Sequence, residues 1–371
     1  MGIVVGLPHG GASEKDYQVQ FGKNISIQVE VRAPFLPAEW ALQSGIQLTW
    51  PHAGTDWAYM LEEVQKCFVA IATEIAKHEL LLIVTPDPDE VKKQISATVN
   101  MENVRFLKCG TNDTWARDHG AITMLDADGP SLLDFTFNGW GLKFASDKDN
   151  EITRRAVETG VLKGKYVNRL GFVLEGGSIE SDGAGTLLTT SECLLSPNRN
   201  GQMNKAEIEE FLRSTFHLER VLWLDYGYLA GDDTDSHVDT LARFCSTNTI
   251  VYVQCNDVQD EHYEELHKME EQLKTFRTLN GKPYRLLALP MVDKIEVEGE
   301  RLPATYANFL IMNDVVLCPT YNQPENDIRA KEVLQEVFPN HEIIGIDCRA
   351  LIKQHGSLHC VTMQYPVGVL K

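Results

Sequence analysis

The segment GDDTDSHVDTLARF, residues 231–244, sets His237 and Asp239 two positions apart. In an extended chain such positions share one face, so a strand here would aim an imidazole and a carboxylate into the same space. A solvated turn end fits the same residues. A second polar cluster, TNDTWARDHG at 111–120, falls between two apolar runs and reads as a loop or strand end on a rigid scaffold. There Asp118 offers a carboxylate fork beside the indole of Trp115, a pairing that suits a planar cation; an Arg117–Asp118 ion pair closing a turn is the plainer alternative. Glu175-Gly176-Gly177 follows the apolar run 172–174, and a glycine pair after a strand reads as a bulge or tight turn. Near the C-terminus, HGSLHC at 355–360 leads into the apolar run 361–363. Cys360 differs from the other seven cysteines in following a glycine-containing polar loop, the setting of an accessible nucleophile. A small buried hydrophobe is the alternative for it.

His355, His359, Cys360, His237 and Asp239 could in principle ligate zinc. The chain has no HExxH and no CxxC, however, so no metal and no organic cofactor is expected. The glycine-rich run DGAGT at 182–186 precedes a strand pattern rather than a helix, which argues against a nucleotide site.

The elements that must position these groups are legible as periodicity. Trp57, Met60, Leu61, Val64, Phe68, Ile71 and Ile75 recur at helical spacing after a Thr55 or Asp56 cap. Further helices are predicted at about 150–162, 204–216, 259–280 and 325–338. Asn204 and Glu207 make a capping-box pattern, and Pro339 stops the last helix. Short β-branched runs lie between them, at 81–84, 104–107, 132–137, 172–174, 186–189, 221–224, 241–244, 250–254, 284–289, 306–312, 315–317, 342–346 and 360–363, with another near 48–52. One helix with several strands, repeated about five times, predicts a modular α/β architecture. Residues 1–35 carry no motif and read as a leader or added edge strand, and 36–371 read as a single catalytic domain.

Composition narrows the partners. At a formal net charge of −19 over 371 residues, nucleic acid and acidic membrane surfaces are disfavoured and a small cation is favoured. The eight cysteines are scattered, the N-terminus lacks the basic flank of a signal peptide, and no run is long enough to span a membrane. A soluble cytoplasmic protein is expected. Assembly into a homo-oligomer is left open.

Taken together, PAEW (37–40), TWPH (49–52), WARDHG (115–120), LEGGSIESDGAGTLLTT (174–190), CLLSPNRN (193–200), GDDTDSHVD (231–239), YANFLIMND (306–314), PTYNQPEND (319–327) and LHCVTMQ (358–364) resemble the agmatine deiminase family, relatives of the bacterial-type peptidyl-arginine deiminases. Two departures stand out: Ala121 where the family often has proline, and Gln354-His355-Gly356 where it has a glycine-rich run. The resemblance implies a five-fold pseudo-symmetric α/β propeller, a pentein-type barrel of ββαβ modules with its site on the axis. It implies Cys360 as nucleophile, His237 as general acid and base, Glu175 as the carboxylate paired with that histidine, and Asp118 and Asp239 as guanidinium clamps. Trp115, Asp233 and Asn308 are the expected substrate contacts, Asp233 at the distal amine because Asp232, Asp233 and Asp235 make that loop acidic. The implied reaction is hydrolysis of agmatine to N-carbamoylputrescine and ammonia in putrescine synthesis. A peptidyl-arginine deiminase and an inactive polyamine-binding homologue are the alternatives.

Overall fold

The computed structural model describes residues 33–371 throughout and, before them, the backbones of the strands Ile3–Val5, Lys15–Phe21 and Ile25–Val31. Those three strands form a sheet of their own, with Ile25–Val31 in the middle. The expectation of an added edge strand is thereby corrected: among the described residues they pair with no strand of the remaining chain.

From Gln43 onward the chain is an α/β structure made of five similar units. In each, a first strand runs antiparallel to a second, and a helical crossover returns the chain to a third strand parallel to the second. The pattern is clearest at Ala242–Ser246, Thr249–Gln254, helix Tyr263–Thr275 and Arg285–Pro290. It recurs at Ile122–Asp126, Gly129–Thr136, helix Ile152–Glu158 and Lys165–Val173. A third copy is Ile179–Ser181, Thr186–Thr190, helix Lys205–Phe216 and Arg220–Leu224. The fourth is Leu310–Ile311, Val315–Thr320, helix Pro324–Val337 and Glu342–Asp347. The remaining unit draws on both ends of the chain: Thr362–Pro366 pairs with Gln43–Thr49, which is followed by helix Leu61–His78 and the strands Leu80–Thr85 and Val104–Lys108.

Each helix forms for the reason its spacing gave. Val64, Phe68, Ile71 and Ile75 are fully buried and share a core with Ile46, Leu48, Leu81 and Ile83 of the sheet beneath. Asn204 accepts from Glu207 N while the Glu207 carboxylate reaches back to Asn204 N, so the predicted capping box is present. The Thr55 side chain, in contrast, makes no cap hydrogen bond, and a 3-10 turn at Asp56–Met60 leads into the first long helix. Among the described residues no helix is long and apolar enough to cross a membrane.

Two local expectations are overturned. His237 and Asp239 do not lie on a strand: Val238–Thr240 is a 3-10 turn, and the strand starts at Ala242. The turn wins because the Asp232 and Thr234 side chains accept from the backbone of residues 234–237, which bends the segment. Asp118 likewise sits in the helical turn Ala116–His119, not at a strand end.

Candidate active site

Five segments converge, and each occupies the same place in its unit, within five residues of the unit's first strand. Asp118 precedes Ile122, Glu175 precedes Ile179, His237 and Asp239 precede Ala242, Asn308 precedes Leu310, and Cys360 precedes Thr362. The connections feeding those strands therefore meet, and they bring five chemically different side chains together from positions more than 240 residues apart, as Asp118 and Cys360 show. All are buried; Cys360, at 5% exposure, is the most accessible of the five groups expected to react or clamp.

Asp118 is held from two sides. Its Oδ2 accepts from Trp140 Nε1 at 2.9 Å and its Oδ1 from Gly177 N at 3.0 Å. Oδ1 also faces His237 Nδ1 at 3.7 Å. Asp239 Oδ2 is bound to His359 Nδ1 at 2.7 Å and lies 4.0 Å from the Cys360 sulfur. The far nitrogen of His359 meets Glu39 Oε2 at 2.7 Å, so the imidazole is locked between two carboxylates. Asp239 Oδ1 and both ring nitrogens of His237 have no protein partner, although all are buried. Unpaired buried polar atoms are costly, and these belong to side chains that meet at Gly177, with the Asp239 carboxylate reaching the thiol.

Gly177 explains the glycine pair. A β-carbon there would stand 2.6 Å from His237 Nδ1, 2.9 Å from Asp118 Oδ1 and 3.2 Å from Asp239 Oδ2. At Gly176 it would meet the Arg117 carbonyl oxygen at 2.1 Å. The glycines let the backbone come close enough for the three functional groups to share one space.

One expected partnership is corrected. Glu175 is not hydrogen-bonded to His237; its two oxygens share the Arg199 Nε–H, at 2.8 and 3.0 Å, because a buried carboxylate is held better by a cationic donor than by a neutral imidazole. Arg199 continues to Asp235 Oδ2 at 2.6 Å and to the Thr234 carbonyl at 2.8 Å, beside His237 in sequence. Asn308, like His237 and Asp239, is not among the residues lining the pocket over Cys360. Its Oδ1 accepts from His359 N at 2.8 Å and Cys360 N at 3.2 Å and receives the Cys360 thiol at 3.3 Å, so it fixes the cysteine's backbone. Asp118 does not pair with Arg117, which reaches Gln364 Oε1 instead, at 2.5 Å.

Arg199, Trp140 and Glu39 were not singled out from the sequence, and His359 was considered only as a possible zinc ligand. For Arg199 the available signal was its place in SPNRN, a polar run with a buried destination. For Trp140 it was an indole flanked by two glycines: Trp140 has φ of 54°, and Gly139 and Gly141 are also left-handed. Positive φ at Trp140, Leu142, Asp235, Ser236 and His355 gathers strain around this site, each non-glycine residue costing about 1–2 kcal/mol.

Above Cys360 opens a pocket of about 380 Å³, partly continuous with solvent. Asp56, Asp113, Asp118 and Asp233 line it along with Trp115, Trp140 and Phe144, and no lysine or arginine does. Trp115 and Trp140 meet edge to face, with ring centroids 6.4 Å apart. Gly356 packs flat on Trp115, where a β-carbon would be 2.1 Å from the ring. The acidic loop is sorted by the structure. Asp232 binds its own turn through Thr234 and Ser236, Asp235 binds Arg199 and Lys143, and Asp233 faces the pocket.

The electrostatics are those of a site awaiting a cation. Burial, with Asp239 and Asp118 adding to it, pushes the Cys360 thiol well above its usual range. Burial and then Asp239 raise Asp118 well above the ordinary carboxylate value. Burial lowers His237 to about 3, so its imidazole is neutral near pH 7. Asp233 is raised to about 6 by burial and by Asp232, and Asp113 to about 7 by burial.

Among the described residues, two clusters contain metal-type donors. Glu175, Cys193 and His237 lie within 4.8 Å of one another, as do Glu39, Glu180 and His359. In both, an arginine already supplies the cation: Arg199 grips Glu175, and Arg243 is paired with Glu39 and Glu180. The zinc set considered from the sequence does not assemble, since His359 is spent on Asp239 and Glu39, and His355 on a backbone carbonyl.

Known proteins place this arrangement. The family model of Porphyromonas-type peptidyl-arginine deiminase matches residues 35–366. A solved structure from Porphyromonas gingivalis, provisionally named an arginine deiminase, is 52% identical with a TM-score of 0.86, covering 91% of this chain and 100% of that one. The substrate-bound agmatine deiminase of C. jejuni is 39% identical with a TM-score of 0.84, covering 91% of this chain and 97% of that one. The agmatine deiminase of Pseudomonas fluorescens is 31% identical over 90% of this chain and 95% of its own length. By both the matched model and these relatives, the chain belongs to the agmatine deiminase family, which the Porphyromonas-type peptidyl-arginine deiminase model describes.

Proposed function

We propose that the protein hydrolyses agmatine to N-carbamoylputrescine and ammonia, as a step in putrescine formation. One observation carries this reading: the pocket over Cys360 is lined by four carboxylates and by no lysine or arginine, so it suits a substrate that is cationic at both ends. A guanidinium carbon is deactivated by delocalisation, and catalysis must hold it in plane while a nucleophile approaches from above. Asp118, with Trp140 and Gly177 behind it, and Asp239, with His359 behind it, are the clamps. The incoming cation offsets the carboxylates that raise the Cys360 thiol, and neutral His237 accepts the thiol proton.

The thiolate then forms a C–S bond to the guanidinium carbon. The tetrahedral adduct breaks its C–N bond, and His237 returns the proton to the leaving ammonia. A planar thiouronium remains on Cys360. Water, deprotonated by His237, adds to its carbon; the C–O bond forms, the C–S bond breaks, and the ureido product leaves with the thiolate restored. Glu175 acts at one remove, through Arg199 and the 234–235 backbone that carries His237. Asn308 keeps the cysteine's backbone in place.

The equivalent positions of the site residues in five units, one of them built from both chain ends, support a closed five-fold propeller with the site on its axis. On this reading residues 36–371 are one catalytic unit, residues 1–35 are accessory, and the eight free cysteines suit the cytoplasm. A substrate of the arginine type is the competing reading, because the 52% identical relative is named for arginine. Ammonia release from agmatine, free arginine and a C-terminal-arginine peptide, measured side by side, decides between them. Agmatine is expected to be preferred; preference for either arginine substrate overturns the proposal, and no release from any of the three points to a binding protein.

A further inference from the structure

The Cys360 loop enters the pocket through Gln354-His355-Gly356, and its middle residue holds a backbone that side chains rarely adopt, with φ of 66°. Two residues of this bend are tied to separate segments of the chain. Gln354 Nε2 donates to the Asp56 carbonyl at 3.1 Å, and His355 Nδ1 lies 2.6 Å from the Gly231 carbonyl. Asp56, Gln354 and His355 all line the pocket, as does Asp233, two residues beyond Gly231. The segment thus bridges the solvent-facing end of the pocket, while Asp118 and Cys360 are buried at the other end. A carbonyl oxygen can only accept, so the neutral imidazole carries its proton on Nδ1 and leaves Nε2 as an acceptor.

We propose that His355 closes the distal end of the substrate pocket and, together with Asp233, receives the terminal primary ammonium, making the site specific for a free amine without an α-carboxylate. This rests on the agmatine reading above. An ammonium has three donors to divide between the Asp233 carboxylate and Nε2. A carboxylate in the same place would meet the Asp233 carboxylate and the Nε2 lone pair, while Lys143 beside Asp233 is already committed to the Asp233 carbonyl and to Asp235; an attached peptide chain would have to pass through the His355–Gly231 bridge. The strained backbone is then explained, because a glycine would relieve the strain but provide neither the bridge nor the acceptor.

The test compares wild type with His355→Gly, which the left-handed backbone favours, and with His355→Asn, which tolerates that backbone and can bridge through its amide. Steady-state kinetics are measured with agmatine, arginine and a C-terminal-arginine peptide, and folding is checked by thermal melting. His355→Gly should raise KM for agmatine about tenfold, more than any change in kcat, and narrow the ratio of kcat/KM for agmatine to that for arginine. His355→Asn should recover most of the loss. If the wild type turns over agmatine but His355→Gly leaves both KM and the ratio unchanged, the inference fails alone. If the wild type prefers arginine, the functional reading fails and this inference with it.

Discussion

The Glu175 carboxylate is bound by Arg199, whose Nε stands 2.8 and 3.0 Å from its two oxygens, and makes no hydrogen bond to His237. The pair is fully buried, and removing the Glu175 charge leaves the buried Arg199 with one carboxylate, Asp235, in place of two. Glu175→Gln is therefore expected to lower the unfolding free energy by about 3 kcal/mol, read by urea denaturation, as well as slowing turnover. A variant as stable as the wild type and defective only in turnover would show instead that Glu175 serves the imidazole directly.

Gly177→Ala should leave the fold intact and cut kcat/KM by on the order of 100-fold, because the added methyl occupies the space between His237 and Asp118. The comparison is with Gly171→Ala, at a position where a β-carbon meets nothing within 4 Å and the backbone is not left-handed. Activity near wild type in Gly177→Ala would mean that these two side chains do not need their close approach.

Because burial and Asp239 hold the Asp118 pKa well above its usual value, a proton competes with the substrate cation for that carboxylate. Binding is retained above the folded-state pKa of Asp118 and lost as pH falls through it. KM for agmatine should therefore rise toward acid pH in the wild type. Asp118→Asn should flatten that limb and reduce kcat/KM by about 100-fold, or about 3 kcal/mol of transition-state stabilisation. An acid limb that persists unchanged in Asp118→Asn assigns it to another group.

Stability has its own titrating group. Glu79 is buried away from the site; its Oε1 accepts from Asn313 N at 2.7 Å, and its Oε2 has no partner. Burial raises its pKa from 4.5 to about 7. Its folded-state contribution is fully present below the unfolded pKa and is lost as pH rises through about 7. Glu79→Gln mimics the protonated form, so its stability relative to wild type should grow between pH 5 and pH 8, approaching at most about 3 kcal/mol. A difference that does not change with pH would contradict this.

Much of this was readable in advance, for identifiable reasons. The crossover helices of the five units carry period-3.6 patterns or capping chemistry, as Asn204 and Glu207 do, and each lies close to where periodicity puts it, whereas the short helix Pro88–Ile95 was not predicted. Asp118, Glu175, His237, Asp239 and Cys360 do converge. What failed was local geometry. The two-residue spacing of His237 and Asp239 suggested a strand face, but side chains of the Asp232–Thr234 turn capture the backbone first. The Glu175–Arg199 and Asp239–His359–Glu39 pairings join residues up to 320 positions apart, and no pattern within one segment encodes them.

The central claim is covalent catalysis by Cys360 on a guanidinium carbon. Rapid quenching of wild-type enzyme with agmatine, followed by proteolysis and mass spectrometry, should find the substrate less one ammonia attached to the peptide containing Cys360. The adduct should be absent in Cys360→Ala, which should still bind agmatine through the intact carboxylates. An adduct on another cysteine, or undiminished turnover by Cys360→Ala, would contradict the account.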